Sequence, residues 1–374
     1  MNQSKKRILF IDGPLGGGGA ERVLIDILRN IDYDRYEVDL AVICRGGVLM
    51  DEVPEQVRVV ELWDGYSLAY KLAFRLSKWL RCNWLFSRKM NGKKLRKNYD
   101  IEISFLEGMP LKLGALRKTK AKKATWVHAD LFRHRYEEAQ FYPGEELMAY
   151  NKMDVVVNVS KHSEEAFSRR FPECIAEKRT IYNPVDRKKI ERLASEGNII
   201  KDDKRLTVIT VGRVTAPKNP ERFLQVAKLA KEAGLSVRFK WVGDGELRAK
   251  MEALRDEMGL SEMVEFTGFV KNPYPHIQAA DIMMVTSDYE GFCLVICEAM
   301  CLGVPVISTR TAGPSEIIGD NEYGVLTDLS AEALFEAVKE LTPSDIRQEM
   351  GMDARKRPEA YSVEKAIEQI TELI

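Results

Sequence analysis

The strongest chemical pattern in the chain is SDYEGFCLVICEAMCLGVPVIST, residues 287–309, in which Glu290 and Glu298 stand eight positions apart. Glu290 precedes Gly291 at a predicted helix start, where free backbone N–H groups can bind sugar hydroxyls or phosphate. An acid is also favoured there by the helix dipole alone. Glu298 lies two turns further on, and its neighbours on the same face are apolar: Leu294, Val295, Cys301 and Leu302. A carboxylate on such a face needs a partner, and a ribose diol supplies two donors to it.

A pair of cations forms the second candidate, in VGRVTAPKNPERF, residues 211–223. Arg213 follows a predicted strand, and Lys218 stands just ahead of a predicted helix. A guanidinium fork and an ammonium point charge beside a helix N-terminus suit a diphosphate. Two solvated loop cations are the alternative interpretation, and this segment alone does not decide between them.

The glycine run Gly16–Gly19 lies between the first predicted strand and the first predicted helix. Such a run lets a phosphate approach bare backbone N–H groups. The dinucleotide fingerprint is incomplete because Glu21 replaces its third glycine, so an NAD enzyme is not expected. A P-loop is also excluded, because the pair Gly92-Lys93 is followed by Lys94 and lacks a glycine five residues earlier.

The length of 374 residues predicts two domains. With 45% hydrophobic and 30% charged residues, the composition is that of a globular protein, and the 57 Lys and Arg balance the 57 Asp and Glu. The apolar run Ile8–Ile11 is too short for a signal peptide, so we expect a cytoplasmic protein with reduced thiols. Cys293, Cys297 and Cys301 share a helix face, but the outer two lie ~12 Å apart, too far to share one zinc ion.

Strand patterns alternate with helical patterns along both halves of the chain, which predicts an α/β protein with two doubly wound parallel sheets. The pattern pauses at IYNPVD, residues 181–186, and at the polar stretch 194–205, where we place the domain change. Ligands of such sheets bind at the carboxyl ends of the strands, so the cleft between the domains is the expected site.

The ordered set GGxER, VHAD, GR…K, VGDG, TGFV, AAD, EGF, E-A-M, G-x-P-V and AGPSE resembles the retaining GT-B glycosyltransferases of family four, the glycosyl transferases group 1 type. The marker is the E-x7-E element, Glu290 to Glu298, and the resemblance covers nearly the whole chain. It implies two Rossmann-like domains facing across a cleft. The N-terminal domain, 1–183, binds the sugar acceptor, and the C-terminal domain, 184–355, binds the nucleotide sugar. A final helix, 356–374, returns to the N-terminal domain.

The resemblance also implies roles for individual residues. Arg213 and Lys218 bind the donor diphosphate and stabilise the leaving nucleotide, Glu298 holds the ribose hydroxyls, and Glu290 meets the donor sugar. His128 of WVHAD lies near the reacting sugar, although a purely structural histidine is an alternative. Arg213, Lys218, Glu290 and His128 form the catalytic set. The remaining donor contacts are Gly17, Gly18, Gly19, Gly212, Gly243, Asp244, Phe269, Val270, Gly291, Phe292, Cys293 and Leu294.

We therefore expect retaining transfer of a sugar from a nucleotide diphosphate, a UDP-sugar before GDP-mannose, without cofactor or metal. The expected sugar acceptor is a glycan or a polyprenyl-diphosphate-linked glycan of a bacterial surface polysaccharide. The alternatives are a nucleotide-sugar epimerase of the same fold and a catalytically silent nucleotide-sugar or glycan-binding module.

Basic residues concentrate in the first half of the chain. Residues 65–99 hold ten Lys or Arg, no Asp or Glu, and seven aromatic residues, and 116–123 add further cations. This composition indicates peripheral contact of residues 65–123 with an anionic membrane, at the inner face of the plasma membrane. A helix packed on its own sheet with a solvated basic face is the alternative. We expect no nucleic-acid partner, because no recognised binding module accompanies the charge.

Overall fold

The structure is a computed structural model that describes residues 5–44, 46–132, 136–197, 199–201 and 204–374. Asn198, Asp202 and Asp203 of the polar stretch predicted as a domain linker lie outside the described residues. Backbone contacts divide the chain into two compact units. Unit 1 comprises Met1–Pro184 with Val363–Ile374, and unit 2 comprises Val185–Ser362.

Unit 1 is built on a seven-stranded parallel sheet in the order β3-β2-β1-β4-β5-β6-β7. Apolar runs such as Ile8–Ile11 form its central strands because both faces of the sheet are covered. Its elements in chain order are β1 Lys6–Asp12, α1 Gly19–Asn30, β2 Tyr36–Cys44, β3 Arg58–Trp63, α2 Leu68–Leu80, α3 Trp84–Met90, β4 Ile101–Ser104, α4 Met109–Ala115, β5 Lys122–Val127, α5 Glu145–Tyr150, β6 Val155–Asn158, α6 Lys161–Arg170 and β7 Glu177–Thr180.

Unit 2 is built on a six-stranded parallel sheet in the order β10-β9-β8-β11-β12-β13. Phe223, Phe239 and Trp241 are fully buried in its core. Its elements are α7 Arg187–Ser195, β8 Leu206–Val211, α8 Pro220–Glu232, β9 Val237–Val242, α9 Arg248–Glu257, β10 Val264–Gly268, α10 Tyr274–Gln278, β11 Ile282–Val285, α11 Leu294–Cys301, β12 Val306–Thr309, α12 Ala312–Ile318, β13 Val325–Thr327, α13 Ala331–Glu340 and α14 Ser344–Ala354.

The last helix, α15 (Val363–Thr371), belongs to unit 1, where it packs against α1. The predicted α/β fold with two doubly wound parallel sheets is confirmed. Because all strands of each sheet are parallel, their carboxyl ends share one edge, and the loops at that edge carry the predicted site residues. Within the described ranges, no helix is both long enough and apolar enough to span a bilayer.

Candidate active site

Lys218 and Glu290 meet at the carboxyl edge of the unit 2 sheet. Lys218 ends the short 3₁₀ helix Ala216–Lys218 after β8, and Glu290 lies in the loop between β11 and α11. The Lys218 Nζ lies 2.5 Å from Glu290 Oε1, and the Ser287 hydroxyl donates to the same oxygen at 2.6 Å. Burial acts to lower the pKa of Lys218, but the Glu290 carboxylate outweighs it, so the pKa lies above its ordinary value. Lys218 is therefore a fixed positive charge.

The loop that carries Lys218 is fastened to the loop after β11. The Thr286 hydroxyl donates to the Lys218 carbonyl at 2.7 Å, and the Arg222 guanidinium donates to the Thr286 carbonyl at 2.7 Å and to Asp288 Oδ1 at 2.8 Å. Asn219, at φ 47°, caps α8 by accepting the Arg222 backbone N–H at 3.0 Å, and its amide donates to Asp288. These contacts place Lys218 and Glu290 side by side.

Glu298 lies in α11 and is half-buried, as its apolar neighbours predict. Its Oε1 accepts a hydrogen bond from the Tyr274 hydroxyl at 3.2 Å. Cys293 precedes α11 at φ 75° and is buried together with Phe292. Burial raises the pKa of the Cys293 thiol well above its ordinary value, so this cysteine is neutral and unsuited to nucleophilic chemistry.

Glycines let the loops of this edge approach one another backbone to backbone. A Cβ on Gly243, at φ 145°, would lie 2.0 Å from the Gly212 carbonyl oxygen. A Cβ on Gly313 would lie 2.4 Å from the Phe292 carbonyl oxygen. The indole N–H of Trp241 donates to the Gly212 carbonyl at 2.9 Å, and this hydrogen bond fixes the backbone just after β8.

Four further predicted donor contacts, Arg213, Asp244, Phe269 and Val270, lie in loops of unit 2. Arg213 is exposed, and its side chain makes no hydrogen bond or ion pair within the described ranges. Asp244 is exposed after β9, and Phe269, 53% exposed, follows β10 with Val270 beside it. Arg213 therefore remains available for an anionic ligand.

In unit 1 the glycine run lies between β1 and α1. Gly17 has φ 93°, and a Cβ there would lie 2.8 Å from the Val48 side chain. The conformation of the loop itself therefore requires glycine at this position. A Cβ on Gly18 would lie 2.3 Å from Glu21 Oε2, whereas Gly19 has open space around it. Among the three predicted donor glycines, only Gly17 therefore has a local structural reason, because the Glu21 carboxylate beside Gly18 is the end of a flexible side chain.

His128 follows β5 at the carboxyl edge of unit 1. Its backbone N–H donates to Glu107 Oε2 at 3.0 Å, and its ring contacts Phe105 with 5.1 Å between ring centroids. Burial lowers the pKa of His128 to about 4, so the imidazole is neutral at physiological pH. Its Nε2 is buried and has no hydrogen-bond partner within the described part of the chain.

Asp12 ends β1 at the same edge and is fully buried. Its Oδ1 accepts the Gly13 N–H at 2.6 Å, while its Oδ2 has no partner among the described residues. Burial raises the pKa of Asp12 well above its ordinary value, and the charges of Glu21 and Glu107 raise it further.

We expect Asp12→Asn to stabilise unit 1 at pH 8 by about 1–3 kcal/mol, because the amide keeps the shape of the side chain without its buried charge beside Glu21 and Glu107. Because the folded-state pKa is raised, the ionised carboxylate destabilises the fold at high pH, and protonation removes that cost as the pH falls towards the ordinary value. The gain should therefore shrink between pH 8 and pH 5. Urea unfolding at both pH values measures it, with the exposed Asp34→Asn as control. Equal gains at both pH values contradict the account.

The sequence patterns missed three side chains that shape the site. Ser287 shares Glu290 with Lys218, Tyr274 orients Glu298, and Arg222 ties the two loops together. Ser287 begins the stretch 287–309, which contains the E-x7-E element, so its position carried a signal. Tyr274 lies sixteen residues before Glu290, and only the fold brings it to Glu298. No group of three or more potential metal ligands occurs among the residues that the structure describes.

Two doubly wound parallel-sheet units in one chain are the architecture of the GT-B fold. Residues 192–357 match the family model described as glycosyl transferases group 1. This match spans 166 of the 374 residues, all within unit 2, and supports the group 1 glycosyltransferase that the motif order predicted.

Comparisons over the full length agree with this assignment. The chain is 25% identical over 362 residues to N-acetylgalactosamine-N,N'-diacetylbacillosaminyl-diphospho-undecaprenol 4-alpha-N-acetylgalactosaminyltransferase of Campylobacter jejuni, covering 93% of each chain. Its fold is similar to that of Anabaena HepE in complex with UDP and glucose, with a TM-score of 0.74, 20% identity and 98% of each chain covered. It is also similar to sucrose-phosphate synthase from Thermosynechococcus elongatus, with a TM-score of 0.78, 21% identity, and 99% of this chain and 98% of that one covered. None of these comparisons supports the epimerase or the silent binding module.

Proposed function

We propose that this glycosyltransferase moves a sugar from a UDP-sugar to a polyprenyl-diphosphate-linked glycan, in the synthesis of a bacterial surface polysaccharide, with retained anomeric configuration and without a metal. The proposed use of a nucleotide-sugar donor rests on the fixed positive charge of Lys218, which Glu290 holds at the carboxyl edge of unit 2. The sugar acceptor is proposed from the Campylobacter relative, whose name specifies an undecaprenol diphosphate substrate. Sugar acceptor binding is assigned to unit 1.

The proposed chemistry follows from charge. As the bond between the anomeric carbon and the diphosphate oxygen breaks, negative charge grows on the leaving phosphate. Lys218 and the exposed Arg213 supply positive charge at that position, and preorganised charge of this kind lowers the barrier. Glu290 is assigned to the donor sugar, and the half-buried Glu298 to the ribose hydroxyls. Because Glu290 already accepts from Lys218 and Ser287, it is oriented before a ligand arrives.

The remaining residues that the sequence predicts to contact the nucleotide sugar are part of the same proposal. Gly212, Gly243, Asp244, Phe269 and Val270 are assigned to the nucleotide, largely through backbone groups. The stretch Gly291 to Leu294 is assigned to the donor sugar, and Gly17 to Gly19 and His128 in unit 1 stay predictions for donor contact.

Release of free nucleotide from a panel of UDP-, GDP- and ADP-sugars tests the proposal, with and without a polyprenyl-diphosphate-linked N-acetylhexosamine. We expect UDP release that is stimulated by the sugar acceptor and accompanied by a lengthened glycan. A changed donor sugar in the NMR spectrum, without glycan extension, indicates the epimerase. Nucleotide-sugar binding without any turnover indicates the silent module.

Tyr274→Phe should weaken UDP binding by about three- to tenfold, because the Glu298 carboxylate loses the hydroxyl that orients it. The aromatic ring stays in its buried position, so the fold should be retained. Calorimetric titration with UDP measures the effect, and Tyr323→Phe in the same unit serves as the control. Unchanged affinity in Tyr274→Phe removes this hydroxyl from nucleotide recognition.

We also propose that unit 1 contacts an anionic membrane through residues 65–123. The inner face of α2 packs on its own unit, with Tyr70 against Trp63 at 5.5 Å between ring centroids. Its outer face exposes Leu68 at 85% and Trp79 at 81%. Apolar side chains among lysines and arginines are typical of a helix that rests at a membrane interface. This contact would place the enzyme at the inner face of the plasma membrane.

A further inference from the structure

A pocket of about 550 Å³ lies on unit 1, between the loop that joins β5 to α5, the start of α5 and the end of α6. This volume is within the range of small-molecule sites in proteins. Phe132 lines the pocket and follows His128 by four residues, so their two Cα atoms are at most about 14 Å apart. The pocket therefore lies near the residue that the family resemblance places beside the reacting sugar, although the donor chemistry does not use it.

Aromatic side chains form much of the apolar lining of this pocket. Phe141 and Phe171 are buried in unit 1, whereas Phe132 is 47% exposed and Tyr142 is half-buried. Phe132 is not an isolated surface residue, because it shares the pocket with these other rings. A partly exposed aromatic ring beside buried ones leaves apolar surface that a ligand can cover.

The charged residues of the pocket balance one another, with the cations Arg169 and Arg170 and the acids Glu138 and Glu146. A pocket without net charge does not select an anion over a neutral ligand. Arg169 is exposed, and its side chain makes no hydrogen bond or ion pair in the part of the chain that the structure describes. Its guanidinium N–H groups are therefore available to the oxygen atoms of a neutral, hydroxyl-bearing ligand.

Arg170 holds the three walls of the pocket together, and its side chain is only 7% exposed. It ends α6, donates to the Leu131 carbonyl of the loop at 2.7 Å and donates to Glu146 Oε2 of α5 at 2.8 Å. It also donates to Glu138 Oε1 at 3.0 Å, and its guanidinium lies 5.0 Å from the centroid of the Phe171 ring. Walls that are already fastened lower the ordering cost of binding a ligand.

We infer that this pocket binds a sugar ring of the acceptor glycan, beyond the ring that receives the transferred sugar. A pyranose has apolar C–H groups on its faces and hydroxyl groups around its edge, so its face covers Phe132 while its hydroxyls meet Arg169. An isoprenoid chain would match the aromatic rings but would bury the charged groups without giving them hydrogen bonds, which is costly. The inference rests on the proposed function, because it uses the assignment of sugar acceptor binding to unit 1.

The first test measures transfer by the full chain to polyprenyl-diphosphate-linked glycans of one, two and three N-acetylhexosamines. We expect the KM of the wild type to fall about tenfold from the shortest to the longest glycan, and the KM of Phe132→Ala to stay at the value for the shortest, with kcat within about twofold of the wild type. Met148→Ala is the matched control, because Met148 is 48% exposed on α5 but does not line the pocket. A fall in KM that Phe132→Ala retains, or a wild type whose KM does not depend on glycan length, overturns the inference.

Saturation-transfer NMR with the free N-acetylhexosamine trisaccharide measures binding without turnover. We expect saturation of the sugar ring protons by the wild type and by Phe132→Trp, which keeps an aromatic face. The signals should be lost in Phe132→Leu, which keeps only the apolar bulk, and weakened in Arg169→Ala. Equal signals in the wild type and Phe132→Leu overturn the inference.

Titration with farnesyl diphosphate separates the sugar from an isoprenoid ligand. Farnesyl diphosphate binding that Phe132→Leu keeps and Phe132→Ala loses, without trisaccharide binding by the wild type, overturns the glycan assignment. Donor-only UDP release should be the same in the wild type and in every pocket variant. Its absence in the wild type contradicts the proposed function, whereas the NMR result still decides whether the pocket binds a sugar.

Discussion

Lys218→Ala should lower the rate of nucleotide release by about 30- to 800-fold, which corresponds to about 2–4 kcal/mol of lost transition-state stabilisation. Glu290 holds the ammonium group at the carboxyl edge of unit 2, and the Thr286 hydroxyl fixes the Lys218 backbone carbonyl. Because Glu290 holds this cation in place before a ligand arrives, no reorganisation is needed as charge grows on the leaving phosphate. Steady-state UDP release with saturating donor measures the change.

Lys228→Ala is the matched control, since Lys228 is exposed on α8 of the same unit. The double variant Lys218→Ala/Glu290→Gln shows how much of the loss comes from the unpaired carboxylate that the single variant leaves behind. Partial recovery in the double variant identifies Glu290 repulsion as a component of the defect. Turnover of Lys218→Ala at the wild-type rate would remove Lys218 from the mechanism.

The parallel sheets were predictable because apolar strands buried on both faces leave a strong pattern. KRILFID and LTVITV read as strands from composition alone, and the structure forms β1 and β8 there. The strand β7, Glu177–Thr180, has the sequence EKRT and was missed. It lies at the end of the sheet order, where polar and charged residues are tolerated, so its strand character comes from pairing with β6 and not from its own composition.

The candidate site was predictable where a residue type conflicts with its surroundings, as with a carboxylate at Glu298 on an apolar helix face. The pairing of Lys218 with Glu290 was not predictable, because two residues that lie 72 positions apart leave no pattern in the sequence. The family resemblance implies that Lys218 binds the diphosphate and that Glu290 meets the donor sugar. Their contact adds a constraint on function, since the diphosphate assigned to Lys218 must share this cation with Glu290.

The glycine run Gly16–Gly19 is a weaker indicator of a ligand than Glu298. Its four glycines indicated a phosphate cradle, yet Gly17 has a positive φ and a close neighbour in Val48, so the loop itself requires glycine there. A glycine that a loop requires for its own geometry carries less information about ligands. Gly19, with open space around it, is the position where a substitution reports on ligand contact.

Arg222→Ala should lower the free energy of unfolding of unit 2 by about 1–3 kcal/mol, the typical cost of leaving a buried acceptor without its hydrogen-bond partner. The Arg222 side chain is only 10% exposed and bonds both to Asp288 and to the Thr286 carbonyl. Its loss leaves that carbonyl without its charged donor. Arg238→Ala, which removes a surface ion pair with Glu265, should cost less than about 1 kcal/mol and is the control. Urea unfolding measures both.

Arg222 also has a positioning role that stability alone does not test. Because it fixes the loop after β11 against the loop that carries Lys218, its loss should lower the kcat of UDP release by about tenfold at a temperature where the variant is folded. Arg222→Lys keeps the charge but loses the fork that reaches two oxygens, so it should restore stability more than kcat. A folded Arg222→Ala protein with wild-type kcat shows that Lys218 and Glu290 hold their geometry without this contact.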